Sequence, residues 1–176
     1  ERAALAGAGT ASPEAYDFYL RGNEYAGRSY GRSNVEAAAD LYARAVGLDS
    51  GFALAQARLG RAHAALYWFY YDRTPARCEA SSRAVEAAVR LAPTLPETRV
   101  AQGYHEYWRH RALDRALGHF EAALEQQPGN SELLTAIGYV ERRRGRWAEA
   151  VARFGEALRY DPRSALRTLD LADTHM

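Results

Sequence analysis

Small and large apolar residues recur along this chain with a period of 34 residues. The clearest recurrence pairs Ala116 with Ala150, Phe120 with Phe154, Ala123 with Ala157 and Pro128 with Pro162. Within each stretch the apolar residues stand three or four positions apart, the spacing that places them on one face of a helix. A fixed period of this length indicates stacked helical hairpins, each of which buries its apolar face only against a neighbour.

Capping and helix-breaking residues mark the ends of the predicted helices. In residues 131–164, Asn130 and Ser131 offer side-chain oxygens that can cap a first helix. Gly145 follows that helix, and glycine readily adopts the left-handed conformation that a helix end requires. A second helix then runs as far as Pro162, which cannot continue its hydrogen bonds. Each unit is therefore expected to be a pair of antiparallel helices.

The same signature divides the whole chain into units. It predicts an all-α fold, a right-handed α-solenoid of antiparallel helix pairs, with four pairs and a terminal half unit. The units span about 14–50, 51–95, 96–130, 131–164 and, for the half unit, 165–176, and residues 1–13 are expected to be a linker or a frayed helix. The second unit carries nine extra residues, so we expect a hairpin that protrudes beyond its neighbours.

The extra residues of the second unit fall around an aromatic run from Tyr67 to Tyr71. One interpretation is that this run covers the core of the lengthened hairpin. The other is that it forms an exposed apolar patch for dimerisation or for docking of another domain. The sequence leaves both interpretations open.

The units resemble the tetratricopeptide repeat (TPR). Leu59-Gly60 and Ile137-Gly138 match the Leu-Gly pair of its first helix, the alanine–aromatic–alanine triples match its second helix, and Asp161-Pro162 matches its end. Gly103-Tyr104 departs from the Leu-Gly pattern. The resemblance implies a protein-interaction module without catalytic activity, whose first helices line a concave surface that binds a peptide or a partner domain.

Carrying the concave positions of the family onto this chain selects nine candidate partner-binding residues. They are Arg58, Arg61, Gln102, His105, Trp108, Arg109, Tyr139, Arg142 and Arg143. Arginine beside large aromatic rings is typical of interface anchors, so we expect an acidic or aromatic-containing partner segment. The alternative is that these arginines only solvate a helix surface. The carboxylate clamp of chaperone adaptors is excluded as a model because it requires lysine, and this chain has none.

A narrower resemblance concerns residues 13–22, which are similar to the start of TPR regions in large multidomain bacterial signalling proteins. In such proteins the array accompanies a nucleotide cyclase, a kinase or a winged-helix domain. The resemblance implies a cytoplasmic bacterial protein in signalling or regulation. Two other functions remain open: an oligomerisation or intramolecular regulatory scaffold for an attached effector domain, which includes a homo-oligomer, and an array that senses a small ligand.

Composition narrows the classes of partner. The formal net charge is +1, although all 23 basic residues are arginine. A charge this small favours neither nucleic acid nor an acidic membrane as partner. The longest apolar run has eight residues, from Ala64 to Tyr71, which is too short to cross a bilayer.

Catalytic, cofactor and metal sites are not predicted. His105 and His110 suggest a zinc motif, but they are five positions apart, about 140° around an α-helix, so they should not share a face. Cys78 is the single cysteine, and no serine or cysteine stands beside a plausible base together with a residue that would orient it. We therefore expect no enzyme, no cofactor and no bound metal.

Overall fold

The computed structural model describes residues 9–162, and this part of the chain is helical without strands. The helices are α1 (Pro13–Arg28), α2 (Arg32–Leu48), α3 (Ala53–Trp68), α4 (Pro75–Leu91), α5 (Pro96–Tyr104), α6 (Leu113–Gln126), α7 (Ser131–Arg143) and α8 (Trp147–Tyr160). A π-helical turn, His105–His110, continues α5. The predicted half unit at 165–176 lies outside the described residues.

The helices begin and end at capping, proline and glycine residues that can be recognised in the sequence. The side chains of Ser12, Thr74 and Asn130 accept hydrogen bonds from the first turns of α1, α4 and α7, and such caps satisfy amide groups that have no partner within the helix. Three of the helices begin with proline, whose missing amide hydrogen costs nothing there. Gly145 has φ 76°, the left-handed conformation expected after α7.

Consecutive helices pair as α1–α2, α3–α4, α5–α6 and α7–α8, and α2 and α6 also pack on the following first helices. The core repeats one arrangement of two alanines around a large residue. It is seen at Ala38, Tyr42 and Ala45, at Ala116, Phe120 and Ala123, and at Ala150, Phe154 and Ala157, all of them buried. Alanine lets two helices approach closely while the ring fills the space between units. The all-α solenoid predicted from the sequence is confirmed.

A glycine on each first helix marks the closest approach to the second helix. A Cβ atom added to it would lie less than 3.0 Å from a side chain of the partner helix. The four contacts are Gly22 with Tyr42, Gly60 with Val85, Gly103 with Phe120 and Gly138 with Phe154. These glycines occupy equivalent positions, so they set the rotation of each first helix about its axis.

The close-contact glycine of α5 is displaced by one residue from the 34-residue period. Gly138 and Phe154 are 16 residues apart, whereas Gly103 and Phe120 are 17 residues apart. The π-helical turn that follows α5 accommodates the additional residue, because a π-helix takes more residues per turn than an α-helix. The period of 34 residues therefore holds for the second helices but is one residue out of step on α5.

The nine extra residues of the second unit are shared evenly. Relative to the unit of α7 and α8, three lie in α3, three in α4 and three in the connecting loop. The lengthened tip contacts its neighbours: the ring of Phe69 lies 5.1 Å from that of Tyr30 and 5.9 Å from that of Trp108, and the Tyr71 hydroxyl donates to the Tyr30 carbonyl. This arrangement favours the interpretation in which the aromatic run covers the core.

Not every aromatic residue at the tip is covered, since Tyr70 is 69% exposed. In residues 9–162 no helix combines the length and the apolar character needed to cross a membrane.

Candidate functional site: the concave groove

A groove of about 520 Å³ runs along the first helices of all four units. Its lining includes Asn23, Ala26, Arg28, Tyr30, Arg58, Arg61, Tyr104, Glu132, Thr135, Tyr139 and Asp161. These residues come from α1 and the turn after it, from α3, α5 and α7, and from the end of α8. The groove therefore has the location that the sequence predicts for a concave binding surface.

The residue directly after each close-contact glycine points into this groove. These four residues are Asn23, Arg61, Tyr104 and Tyr139. The glycine faces the second helix of its own unit, so the next residue, about 100° further around the helix, faces the concave side. Sequence reasoning found Arg61 and Tyr139 but missed Asn23 and Tyr104. Alignment on the glycines would have selected all four.

Arg61 joins its own unit to the other three through its guanidinium group. It donates to the Tyr30 hydroxyl at 2.9 Å and to the Glu132 carboxylate, and it lies 4.3 Å from the centre of the Tyr104 ring. Burial acts to lower the pKa of Arg61, but the Glu132 carboxylate and the two tyrosines outweigh this effect and hold the pKa well above its usual value. Arg61 is therefore a charged internal link between α3 and α7.

Arg58 lies one turn before Arg61 and differs from it. Its Nε atom is buried and has no hydrogen-bond partner among the described residues. Burial raises the pKa of the neighbouring Tyr42 to about 12, an effect that the positive charge of Arg58 opposes, and the Tyr42 hydroxyl donates to Asn23 at 2.9 Å. A buried donor without an acceptor costs free energy, so Arg58 is the side chain of the groove that an anionic ligand would satisfy.

Two of the predicted partner-binding residues, one at the end of α5 and one at the start of the π-helical turn, face away from the groove. Gln102 and His105 line a separate cleft of about 400 Å³ between α4 and α6, and His105 hydrogen bonds to Ser81 of α4 at 3.1 Å. Their predicted placement is wrong because the 34-residue period is one residue out of step on this helix. Tyr104 occupies the position that the period assigns to His105.

Two further predicted residues belong to the π-helical turn. Trp108 is 5% exposed and packs between the rings of Tyr104, Phe69 and Tyr30, so it is a core residue and the groove placement is wrong. Arg109 hydrogen bonds to Ser82 of α4. The wider π-helical turn rotates both side chains away from the concave side.

Arg142 and Arg143 stack on aromatic rings. The guanidinium of Arg142 lies 5.4 Å from the Tyr139 ring centre, next to the groove but outside its lining. Arg143 lies 4.7 Å from the Trp68 ring centre and donates to the Tyr107 hydroxyl at 2.7 Å. The structure thus places Arg58, Arg61 and Tyr139 together in the groove and disperses the other six candidates.

The geometric argument against a shared face for His105 and His110 is also wrong. Their ring centres are 5.1 Å apart, because residues five apart come together in a π-helix. The Nδ1 and Nε2 atoms of His105 nevertheless contact Ser81 and Arg109. Within residues 9–162, no group of three or more potential metal ligands is assembled.

Similar architectures occur in solved structures. A TPR protein from Thermus thermophilus, TTC0263, is 19% identical, with a TM-score of 0.60 over 92% of this chain and 98% of that chain. PilF from Pseudomonas aeruginosa is 17% identical, with a TM-score of 0.62 over 92% of this chain and 67% of that chain. A crystal structure of MamA is 22% identical, with a TM-score of 0.52 over 94% of this chain and 86% of that chain.

No protein-family model matches the chain, and no curated protein matches it in sequence. The chain has the fold of tetratricopeptide-repeat proteins. At these identities the likeness concerns the fold alone, because one fold can carry unrelated functions.

Proposed function

We propose that the chain is a non-catalytic protein-interaction module that binds a segment of a partner protein along its concave groove. The proposal rests on Arg58, a half-buried arginine in the groove whose Nε atom is buried and has no acceptor among the described residues. Arginine remains charged in proteins and presents five N–H donors. A carboxylate of the partner would complete its hydrogen bonds.

The two arginines of the groove, Arg58 and Arg61, have different roles. Arg61 is committed to Glu132, Tyr30 and Tyr104 and maintains the curvature of the array. Arg58 stands next to it with the capacity to bind an acidic side chain, and Tyr139 adds ring surface to the lining, whereas the ring of Tyr104 is only 3% exposed. We therefore propose a partner segment with at least one Asp or Glu and an apolar or aromatic neighbour.

We further propose that the array serves in a larger bacterial cytoplasmic protein of signalling or regulation. This part of the proposal rests on the resemblance of residues 13–22 to the start of TPR regions in such proteins.

Selection from a random dodecapeptide library on the immobilised protein tests the groove. We expect enriched peptides to carry an acidic residue and to bind the Arg58→Gln variant about tenfold or more weakly, because a hydrogen bond to a charged group contributes about 1.5–3 kcal/mol. Arg159→Gln, which removes an exposed arginine of α8, should leave binding unchanged. Failure to enrich any peptide, or equal binding by the Arg58→Gln variant, would contradict the proposal.

A further inference from the structure

Three arginines stack on aromatic rings at the lengthened tip of the second unit. Arg73 belongs to the loop between α3 and α4, Arg111 follows the π-helical turn, and Arg143 ends α7. All three are exposed. Together with Tyr67, Trp68 and Tyr70 they form what we call the tip surface.

Each arginine of the tip surface lies against an aromatic ring. The guanidinium of Arg73 is 4.3 Å from the ring centre of Tyr70 and 4.6 Å from that of Tyr67. Arg111 and Arg143 share the ring of Trp68, at 6.0 Å and 4.7 Å. A guanidinium that stacks through its flat face keeps its N–H edge available for a carboxylate. The rings therefore orient the arginines without using up their donors.

The carboxylates around the tip surface form ion pairs with other arginines. The pairs are Asp72 with Arg77, Glu106 with Arg115, and Asp114 with Arg144, each at 2.9 Å. Among residues 9–162, no ion pair engages the three arginines of the tip surface. Two of them use one donor each on a tyrosine hydroxyl, which leaves the other donors to solvent. The tip surface thus carries positive charge that its own surroundings do not neutralise.

Backbone strain at the tip supports a functional role. Tyr70 and Arg111 have φ values of 63° and 53°, and within residues 9–162 they are the non-glycine residues with positive φ. A bulky residue in this conformation is strained, and such strain concentrates at functional positions. Both strained residues contribute side chains to the tip surface, and Tyr70 is 69% exposed.

We propose that the tip surface is a second docking surface, which binds an acidic segment of a partner protein. Carboxylates of that segment bind Arg111 and Arg143, which share the ring of Trp68, and Tyr70 supplies apolar area. A protein segment is favoured over nucleic acid because only three cations are present and the net charge of +1 provides no long-range attraction for a polyanion. The proposal is independent of the groove, since none of these residues lines it.

Fluorescence anisotropy with a labelled octaglutamate peptide at low ionic strength tests the tip surface. We expect the R111Q/R143Q variant to bind the peptide about tenfold more weakly, since each exposed charge pair contributes up to about 1 kcal/mol. The matched control is R44Q/R159Q, which removes two exposed arginines elsewhere, one of them stacked on Phe18. It should bind within about twofold of the wild type.

A charge-reversed variant and a thermal melt of each variant complete the test. A charge-reversed variant, R111E/R143E, should bind labelled octalysine when the wild type does not, and a thermal melt of each variant establishes that it folds. Equal loss of octaglutamate binding in both double variants, or no binding by the wild type, would overturn the proposal. So would tighter, Arg111-dependent binding of labelled oligothymidine, because the occupant would then be nucleic acid.

Discussion

The units of α5–α6 and α7–α8 share one core contact and differ in what surrounds it. In both, a glycine of the first helix packs on a phenylalanine of the second, Gly103 on Phe120 and Gly138 on Phe154. One additional residue in the α5 unit produces a π-helical turn and buries Trp108 in the aromatic cluster. A single residue between two fixed contacts therefore decides which side chains face the partner and which face the core.

The largest effect on stability is expected from removing the side chain of Trp108, which the additional residue places in the core. Trp108→Ala should lower the free energy of unfolding by about 3–5 kcal/mol, because the ring is buried against three other aromatic rings. Trp147→Ala is the matched control in the α7–α8 unit, where the ring is 54% exposed, and should change stability by about 0.5 kcal/mol or less. Urea unfolding measures both. Similar losses in the two variants would contradict the assignment of Trp108 to the core.

The second largest effect on stability is expected from removing the guanidinium of Arg61, which joins α3 to α7 across the α5–α6 unit. Arg61→Met should cost about 2–3 kcal/mol, because it removes hydrogen bonds from a charged, nearly buried group that joins α3 to α7. Arg153→Met breaks a pair with Glu156 within α8 in which the arginine is more exposed than Arg61, and it should cost about 0.5 kcal/mol. Equal costs in urea unfolding would mean that the link to Glu132 adds nothing to the array.

The shared glycine contact predicts an effect in both units. Gly103→Ala and Gly138→Ala should each destabilise the fold by about 1–2 kcal/mol, since the added Cβ presses on a buried phenylalanine ring. Gly118→Ala and Gly155→Ala lie on the second helices of the same units with open space around them, and should stabilise by about 0.5–1 kcal/mol. Thermal melts of all four variants show whether the signs differ. Stabilisation by Gly103→Ala or Gly138→Ala would refute the proposed register.

The smallest effect is a pH dependence that involves His105 of the α5 unit. Burial, together with Arg109, lowers the pKa of His105 to about 4, and burial, together with Arg77, does the same for His63. The unfolded chain binds these protons near pH 6.5 and the folded chain only near pH 4, so stability is complete above pH 6.5 and falls as the pH drops toward 4.

Each histidine should contribute about 1 kcal/mol to that loss, since both rings keep some contact with solvent. Urea unfolding at several pH values measures the slope, and the H63Q/H105Q variant should flatten it. Asp72, whose pKa its bonds to Thr74 and Arg77 lower to about 2, affects stability only at more acidic pH. An unchanged slope in the double variant would contradict the assignment.

Much of the fold could be predicted because helix caps and breakers act locally. Asn130, Thr74 and Gly145 end or begin helices through contacts within a few residues, so the sequence alone reveals them. The candidate site was predicted less well. Arg58 and Arg61 lie in the groove, but His105 does not, because its direction depends on a contact between Gly103 and Phe120 on different helices.

By itself, the amino-acid sequence determined that this protein is a stack of helix pairs, since apolar spacing and helix-ending residues are properties of short segments. Only the tertiary structure decided which side of α5 faces the groove, and that Arg61 is bound internally while the Nε of Arg58 has no partner within residues 9–162. It also decided that Arg111 and Arg143 share the Trp68 ring while Arg73 stacks on Tyr70. The physical reason is that helix rotation and charge pairing depend on packing between segments far apart in the chain, and one additional residue between two fixed contacts alters both.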